Sequence, residues 1–262
     1  VVTIQKLSRL KKILRSYPGA VVAFSGGVDS TFLLKAAKDT LGDKVIAVTV
    51  VSAIHPKTEI SAAKKIARRL KCKHLVVRMN VLEDKNIRYN QRTRCFHCKL
   101  ALFRRIKQIA KEYGYVVIEA TNKSDLRDYR PGIKALKKLQ IESPLMKAGF
   151  KKDDIRKSAR RSGLPNWNLP SMACLASRIP YGREITPEAL RRIDAAEEYL
   201  RKRGIRQVRV RDHYPIARIE VEQFDVKWMI NNRRKVTAHL TKLGYKYITL
   251  DLAGYSTGSL NR

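Results

Sequence analysis

The sequence predicts an α/β protein, a doubly wound parallel sheet followed by a small α+β domain. Three observations predict it. Four short β-branched runs alternate with longer amphipathic stretches over the first two-thirds of the chain. A Gly-Gly turn directly follows the first run. After Pro187 the runs change from apolar throughout to alternating apolar and polar.

An amphipathic helix is expected over residues 4–16, then a strand at AVVAF (20–24). A helix over 31–40, a strand at KVIAVTVV (44–51), a helix over 57–71 and a strand at KHLVVRM (73–79) follow. A helix over 99–113, a strand at YVVIEA (115–120) and a helix over 153–162 complete this part. The strand runs are apolar throughout, as expected of strands covered on both faces. Residues 163–188 hold Pro165, Pro170, Pro180 and Pro187 and read as a linker plus a functional loop. Thr186 is placed to cap the next helix, with Pro187 in its first turn and Gly204 past its end. RQVRVRD and IARIEV alternate as a half-exposed hairpin, joined by an Asp-His-Tyr-Pro turn. A helix over 224–243 and a strand at YKYITLDL close an α-β-β-α-β unit with one sheet face open. The expected domains are 1–170 and 187–262, with 171–186 as the connecting loop.

Hydrophobic residues make up 44% of the chain, which excludes wholesale disorder. No apolar run is long enough to span a bilayer, and the opening residues lack the apolar core of a secretory signal. Lysine and arginine number 56 against 23 acidic residues, a net charge of +33. Such a field favours polyanionic partners, nucleotides and RNA among them, although a solvated basic surface accounts for it equally well. Four cysteines are too few for a secreted disulfide framework, so a cytoplasmic location is expected.

The most specific motif is SGGVDS, residues 25–30, between the first strand and its helix. Gly26 and Gly27 permit a tight turn that brings backbone N–H groups close to phosphate oxygens. The N-terminus of the following helix, with Val28, points at the same place. Ser25 and Ser30 add hydroxyls. Asp29 would repel a phosphate unless it holds Mg²⁺ or a catalytic water. Cys95 and Cys98 form Cys-Phe-His-Cys just ahead of a helix, and Cys174 lies in the Pro-rich loop. The spacing alone leaves redox, zinc and cluster chemistry open. Three cysteines in converging loops suit a 4Fe–4S cluster with one open iron. Cys72 reads as a small buried hydrophobe.

The hexapeptide resembles the PP-loop of ATP pyrophosphatases, which implies cleavage of ATP to AMP and pyrophosphate and an adenine site near Val50 and Val51. SGGVDS, RCFHCK (94–99), TNKSDLRDYRPG (121–132) and ACLASRIPYGREIT (173–186) together resemble the LarE family of ATP-dependent sulfur transferases. The resemblance implies adenylation of a carboxylate of pyridinium-3,5-biscarboxylic acid mononucleotide and its conversion to a thiocarboxylate, in assembly of a nickel-pincer nucleotide cofactor. It implies the subtype in which Cys95, Cys98 and Cys174 hold a 4Fe–4S cluster, with ATP and Mg²⁺ as further requirements and a homo-oligomeric enzyme. It places Asn122 and Asp125 at the nucleotide, with Ser124 standing where a carboxylate is expected, and keeps Asp128 and Arg130. It puts Ser177 and Arg178 in the pocket of Cys174. Arg209 and Arg211, in Val-Arg-Val-Arg, alternate onto one strand face, where two guanidiniums can clamp the substrate phosphate; a solvated strand face is the plain alternative. Glu197 and Glu220 fall among acidic residues of the same site and are expected to serve a metal. A tRNA thiolase using a 4Fe–4S cluster is the rival reading, with nucleic acid as a partner that the basic charge allows without favouring.

Overall fold

The computed structural model describes residues 2–127, 131–170 and 173–256. The chain runs α1 (Val2–Arg15), β1 (Ala20–Ala23), α2 (Val28–Leu41), β2 (Val45–Val51), α3 (Lys57–Arg69) and β3 (Lys73–Arg78). A single turn, α4 (Lys85–Arg88), leads to α5 (Arg94–Tyr113) and β4 (Val116–Ile118). Three helices follow: α6 (Pro131–Lys138), α7 (Pro144–Lys147) and α8 (Lys152–Arg161). Last come α9 (Pro187–Arg201), the strands β5 (Val208–His213) and β6 (Ile216–Val221), helices α10 (Val226–Asn231) and α11 (Arg233–Lys242), and β7 (Tyr247–Leu250).

The first four strands form a parallel sheet in the order β3-β2-β1-β4. Leu10, Leu14, Phe32, Leu33 and Ile155, from α1, α2 and α8, build the core that includes Ala20 and Val22 of β1. Phe103, Ile106 and Ile109 of α5 build the other core with Val21, Ile46 and Val117. Alternate residues of β1 thus enter opposite cores, as in a sheet covered by helices on both faces. The second sheet has the order β5-β6-β7, with β5 antiparallel and β7 parallel to β6. Its core joins Leu200, Val208, Val210, Ile219, Met229 and Leu240.

The chain divides into two compact units. One holds Val1–Ser52, Lys57–Val81 and Thr93–Ser171; the other holds Ala53–Pro56, Leu82–Arg92 and Met172–Arg262. Within the second unit, two short excursions from the first sheet's connections anchor the Pro-rich segment. Leu175 N–H donates to Ile54 O at 2.8 Å, Ile185 N–H to Arg88 O at 2.7 Å, and Asn90 Nδ2 to Ile179 O and Pro180 O at 2.8 and 2.7 Å. Leu175, Ala176, Ile179 and Ile185 are buried.

Four expectations need correction. α5 starts at Arg94, so Cys95 and Cys98 lie within its first five residues and not ahead of it. The helix expected over 224–243 is a 3-10 turn followed by α10 and α11, broken at Asn232. β3 is an edge strand and only partly covered. β5 is buried along nearly its whole length, so the hairpin is not half-exposed. Asp128 and Arg130 lie outside the described residues. Among the described residues no helix is long and apolar enough to cross a membrane.

Candidate functional site

β1 delivers the chain to the loop at Ser25. Gly26 has φ +79°, and a Cβ there would stand 3.0 Å from the Ala63 backbone in α3, so both conformation and space demand glycine. Gly27 is the N-cap of α2 and accepts the first helical bond, from Thr31 N–H at 2.9 Å. Ser30 Oγ donates to Gly27 O at 3.1 Å and meets Ser25 Oγ at 3.1 Å, while Gly27 N–H donates to Ser25 Oγ at 3.3 Å. The two serines therefore close the turn on itself. The first N–H groups of α2, from Val28 to Ser30, have no carbonyl within the helix to reach and face the N-terminal end with its partial positive charge.

The strand order places β2 on one side of β1 and β4 on the other. This is the topological switch point, where open α/β sheets bind ligands beyond the carboxyl ends of their strands. The residues following β4 meet the loop there. Asn122 Nδ2 donates to Asp29 Oδ2 at 3.4 Å, and Lys152 Nζ lies 3.9 Å from the same oxygen. Asp125 accepts from Asn122 N–H at 3.0 Å, so its carboxylate shapes the turn that presents Asn122. Ser124 accepts from Lys152 N–H at 3.1 Å and fixes the start of α8. Where a carboxylate is expected, this chain uses a hydroxyl to position a lysine. Val50 and Val51 end β2 half-buried. Beside them Thr49 Oγ1 donates to Phe24 O at 2.7 Å and contacts His74 Nε2 at 2.8 Å. Burial, with Lys64 adding to it, holds the His74 pKa below its ordinary value.

In the second unit a 3-10 turn, Leu175–Arg178, follows Cys174. The Cys174 carbonyl accepts from Ser177 N–H at 3.0 Å, Ser177 Oγ at 2.9 Å and Arg178 Nη1 at 3.0 Å. Arg178 is fully buried and forks onto Glu197 through Nε and Nη2, at 2.8 and 2.9 Å. Glu197 also accepts from Val210 N–H at 3.0 Å and from Arg201. Burial by itself would raise the Glu197 pKa, but Arg178, then Arg201 and Arg209, outweigh it and hold the carboxyl below its ordinary value.

Arg211 forks onto Glu220 at 2.9 and 2.7 Å, and its Nη1 donates to Ser177 O at 2.7 Å. Arg218 reaches Glu220 at 3.2 Å. Two corrections follow. Glu197 and Glu220 have their oxygens turned to guanidiniums, which is not the disposition of metal ligands. Arg211 commits its planar fork to Glu220 and its Nη1 to the Ser177 carbonyl in the Cys174 turn, so only Arg209 of the expected pair keeps the clamp role in reach. Both are buried, which removes the solvated-face alternative. Arg209 donates to Val208 O at 2.8 Å and lies 5.3 Å over the Tyr255 ring. Burial, and then Arg178, bring its pKa down to about 10.

None of the four cysteines is in a disulfide. Cys98 is buried and Cys95 half-buried, with Arg94 Nη2 3.8 Å from the Cys95 sulfur. Cys72 is buried and its thiol pKa is raised by that burial, as expected of a core residue. Cys95 and Cys98 belong to the first unit and Cys174 to the second. Among the described residues no group of three or more His, Cys, Asp or Glu that could hold a metal ion is formed. Lys152, Arg201 and Asn166, which donates to Gly26 O at 2.8 Å, carry no sequence signal that separates them from other basic and loop residues.

A serine- and glycine-rich loop at the switch point of a parallel sheet, facing an aspartate, an asparagine and a lysine, defines a PP-loop nucleotide-binding enzyme. The family model of queuosine biosynthesis protein QueC matches residues 19–99, which span this loop. Pyridinium-3,5-bisthiocarboxylic acid mononucleotide synthase of Lactiplantibacillus plantarum is 36% identical over 258 residues, 98% of this chain and 94% of that protein. The protein slr1717 of Synechocystis sp. is 39% identical over 260 residues, 98% and 97% of the two chains. MJ0830 of Methanocaldococcus jannaschii is 32% identical over 263 residues, 97% and 99%. The chain belongs to the LarE family of ATP-dependent sulfur transferases.

Proposed function

We propose that the chain adenylates a carboxylate of pyridinium-3,5-biscarboxylic acid mononucleotide and exchanges the activated oxygen for sulfur, in nickel-pincer nucleotide biosynthesis. The observation that carries this reading is the closed phosphate loop facing Asp29, in a chain matched along 98% of its length by a synthase named for the bisthiocarboxylic product.

ATP binds with its phosphates against the N–H groups of residues 25–30 and its adenine near Val50. The substrate carboxylate attacks the α-phosphorus and pyrophosphate leaves. The loop amides and Lys152 stabilise the charge that develops on the leaving group. Asp29, oriented by Asn122, supplies the hard oxygen that Mg²⁺ prefers. Sulfide then attacks the acyl carbon of the adenylate and AMP departs, leaving the thiocarboxylate. Arg209 binds the substrate phosphate, whose charge offsets that of its buried guanidinium. Cys174 is held by Ser177 and Arg178, which fix its carbonyl and so its backbone.

Three thiols without a disulfide are the right donors for iron and sulfide. A 4Fe–4S cluster on Cys95, Cys98 and Cys174 would supply sulfide at the iron left without a thiol. A cytoplasmic homo-oligomer is part of the same proposal.

The test is anaerobic reconstitution with iron and sulfide, followed by ATP and the biscarboxylic mononucleotide. Pyrophosphate, AMP and a product carrying sulfur in place of oxygen are expected. Cys174→Ala should keep pyrophosphate release and lose the sulfur product. The charge of +33 admits one second reading, tRNA thiolation. Thiolated tRNA without thiocarboxylate would establish that reading and overturn this one.

A further inference from the structure

Asn166 follows α8 in the first unit and is 4% exposed. Its Nδ2 donates to Gly26 O at 2.8 Å and to Thr31 Oγ1 at 2.9 Å. Its Oδ1 is enclosed and has no hydrogen-bond partner among the described residues. The opposite rotamer of the amide would set Oδ1 against the Gly26 carbonyl, two acceptors facing each other, so the chemistry fixes the orientation. A side chain needed only to fill this space would do better without that oxygen. Leucine has nearly the same shape and removes that orphaned oxygen, leaving only the acceptors that Asn166 now serves, Gly26 O and Thr31 Oγ1, without their donor. The position therefore keeps an asparagine for its two donors.

Those donors act on the phosphate loop. Gly26 O and Gly27 N–H belong to one planar trans peptide and point in opposite directions. With the oxygen drawn to Asn166, the N–H is turned the other way, toward Ser25 Oγ. A Gly-Gly peptide has little conformational preference of its own, and Gly26 already occupies positive φ. The restraint must come from outside the loop. The second donor ties the same amide to Thr31 in the first turns of α2, so loop and helix are fixed as one body.

We propose that Asn166 is a positioning residue: it pins the Gly26–Gly27 peptide and thereby preorganises the loop for the pyrophosphate part of ATP. This rests on the reading of residues 25–30 as the ATP phosphate site.

The experiment compares wild type, Asn166→Leu and Asn166→Asp by calorimetric binding of MgATP, pyrophosphate and AMP, with thermal unfolding of each protein. Asn166→Leu exchanges an orphaned Oδ1 for an orphaned Gly26 carbonyl, so its melting temperature should stay near wild type, while MgATP and pyrophosphate binding should weaken roughly tenfold, because affinity that depends on preorganisation is lost with it. AMP, which lacks the pyrophosphate, should bind within about twofold of wild type, a difference far below the loss expected for the other two ligands. Asn166→Asp keeps the shape but sets a carboxylate against the Gly26 carbonyl, and should bind MgATP more weakly still. Wild-type affinity for MgATP in Asn166→Leu would overturn the proposal. So would a parallel fall in melting temperature and in binding of all three ligands, which a merely structural role predicts. A wild-type protein that binds neither MgATP nor pyrophosphate would instead remove the ATP-site reading beneath it.

Discussion

Glu197 shows how much of the second unit depends on single charges. It is a fully buried carboxylate shared by Arg178, Arg201 and the Val210 amide. Glu197→Gln keeps the shape and removes the charge, leaving Arg178 buried without its counterion. Breaking a buried pair from one side costs about 3–5 kcal/mol, so urea unfolding of this variant should show a loss of that order. The pH dependence follows from the direction of its shift. The folded pKa lies below the ordinary 4.5, so the contribution is complete above that value and is lost as pH falls through the folded pKa. A melting temperature indifferent to acid below pH 4.5 in wild type, or equally acid-sensitive in Glu197→Gln, would count against this account. Arg209 is the opposite case. Its pKa is drawn down to about 10, so the fold disfavours its charge. Arg209→Met should leave stability unchanged or raise it, while raising KM for the phosphorylated substrate far more than KM for ATP. Equal effects on both constants would remove Arg209 from the substrate phosphate.

At the scale of elements, what the sequence discloses depends on which force sets the element. The four strands of the first sheet and helices α1–α3 are carried by apolar burial, and periodicity finds them within a few residues. The first turn of α5 is not legible because Arg-Cys-Phe-His-Cys-Lys has no apolar period, although Arg94 and Cys98 are buried there. β5 misleads for a similar reason. Arg209 and Arg211 alternate with valines as solvent-facing residues would, yet Glu220, which takes the Arg211 fork, and Glu197, whose charge acts on Arg209, sit on other elements, and a linear pattern cannot bring them together. The phosphate loop was legible as a motif and Asn122 through the family resemblance, while Lys152 and Asn166 come from distant segments with no signal of their own. The Thr186 cap was legible outright. Its Oγ1 accepts from Ala189 N–H at 3.1 Å, so Thr186→Ala should cost about 1 kcal/mol of stability in denaturant unfolding. Gly26→Ala tests the loop as an element. A methyl 3.0 Å from the Ala63 backbone, on a residue at φ +79°, forces the turn to shift. Pyrophosphate release should be largely lost, and an alanine variant of near wild-type activity would mean the loop does not lie against phosphate.

For the whole molecule, two separately cored units and a large positive charge set the terms on which ligands act. The phosphate loop belongs to the unit cored by Phe32, Leu33 and Phe150, and Arg209 to the unit cored by Leu200, Val210 and Leu240. A ligand that binds only the folded site stabilises it by about 2.7 kcal/mol at a hundred times its dissociation constant. That stabilisation should be read locally by amide hydrogen exchange. MgATP should slow exchange at α2 and the loop before it, and the substrate mononucleotide should slow exchange at β5 and β6. General attraction of anions to a net charge of +33 gives a different pattern. It is spread over the surface and falls with ionic strength, because the screening length is about 10 Å at 0.1 M salt and about 3 Å at 1 M. Sulfate at matched ionic strength reports that background. Protection of α2 by MgATP that persists when sulfate is raised marks a built phosphate site, since N–H donors inside a closed turn are screened much less than exposed lysines. Protection that vanishes with sulfate, or that MgATP spreads evenly over both units, would assign ATP binding to the charge of the surface and not to the loop.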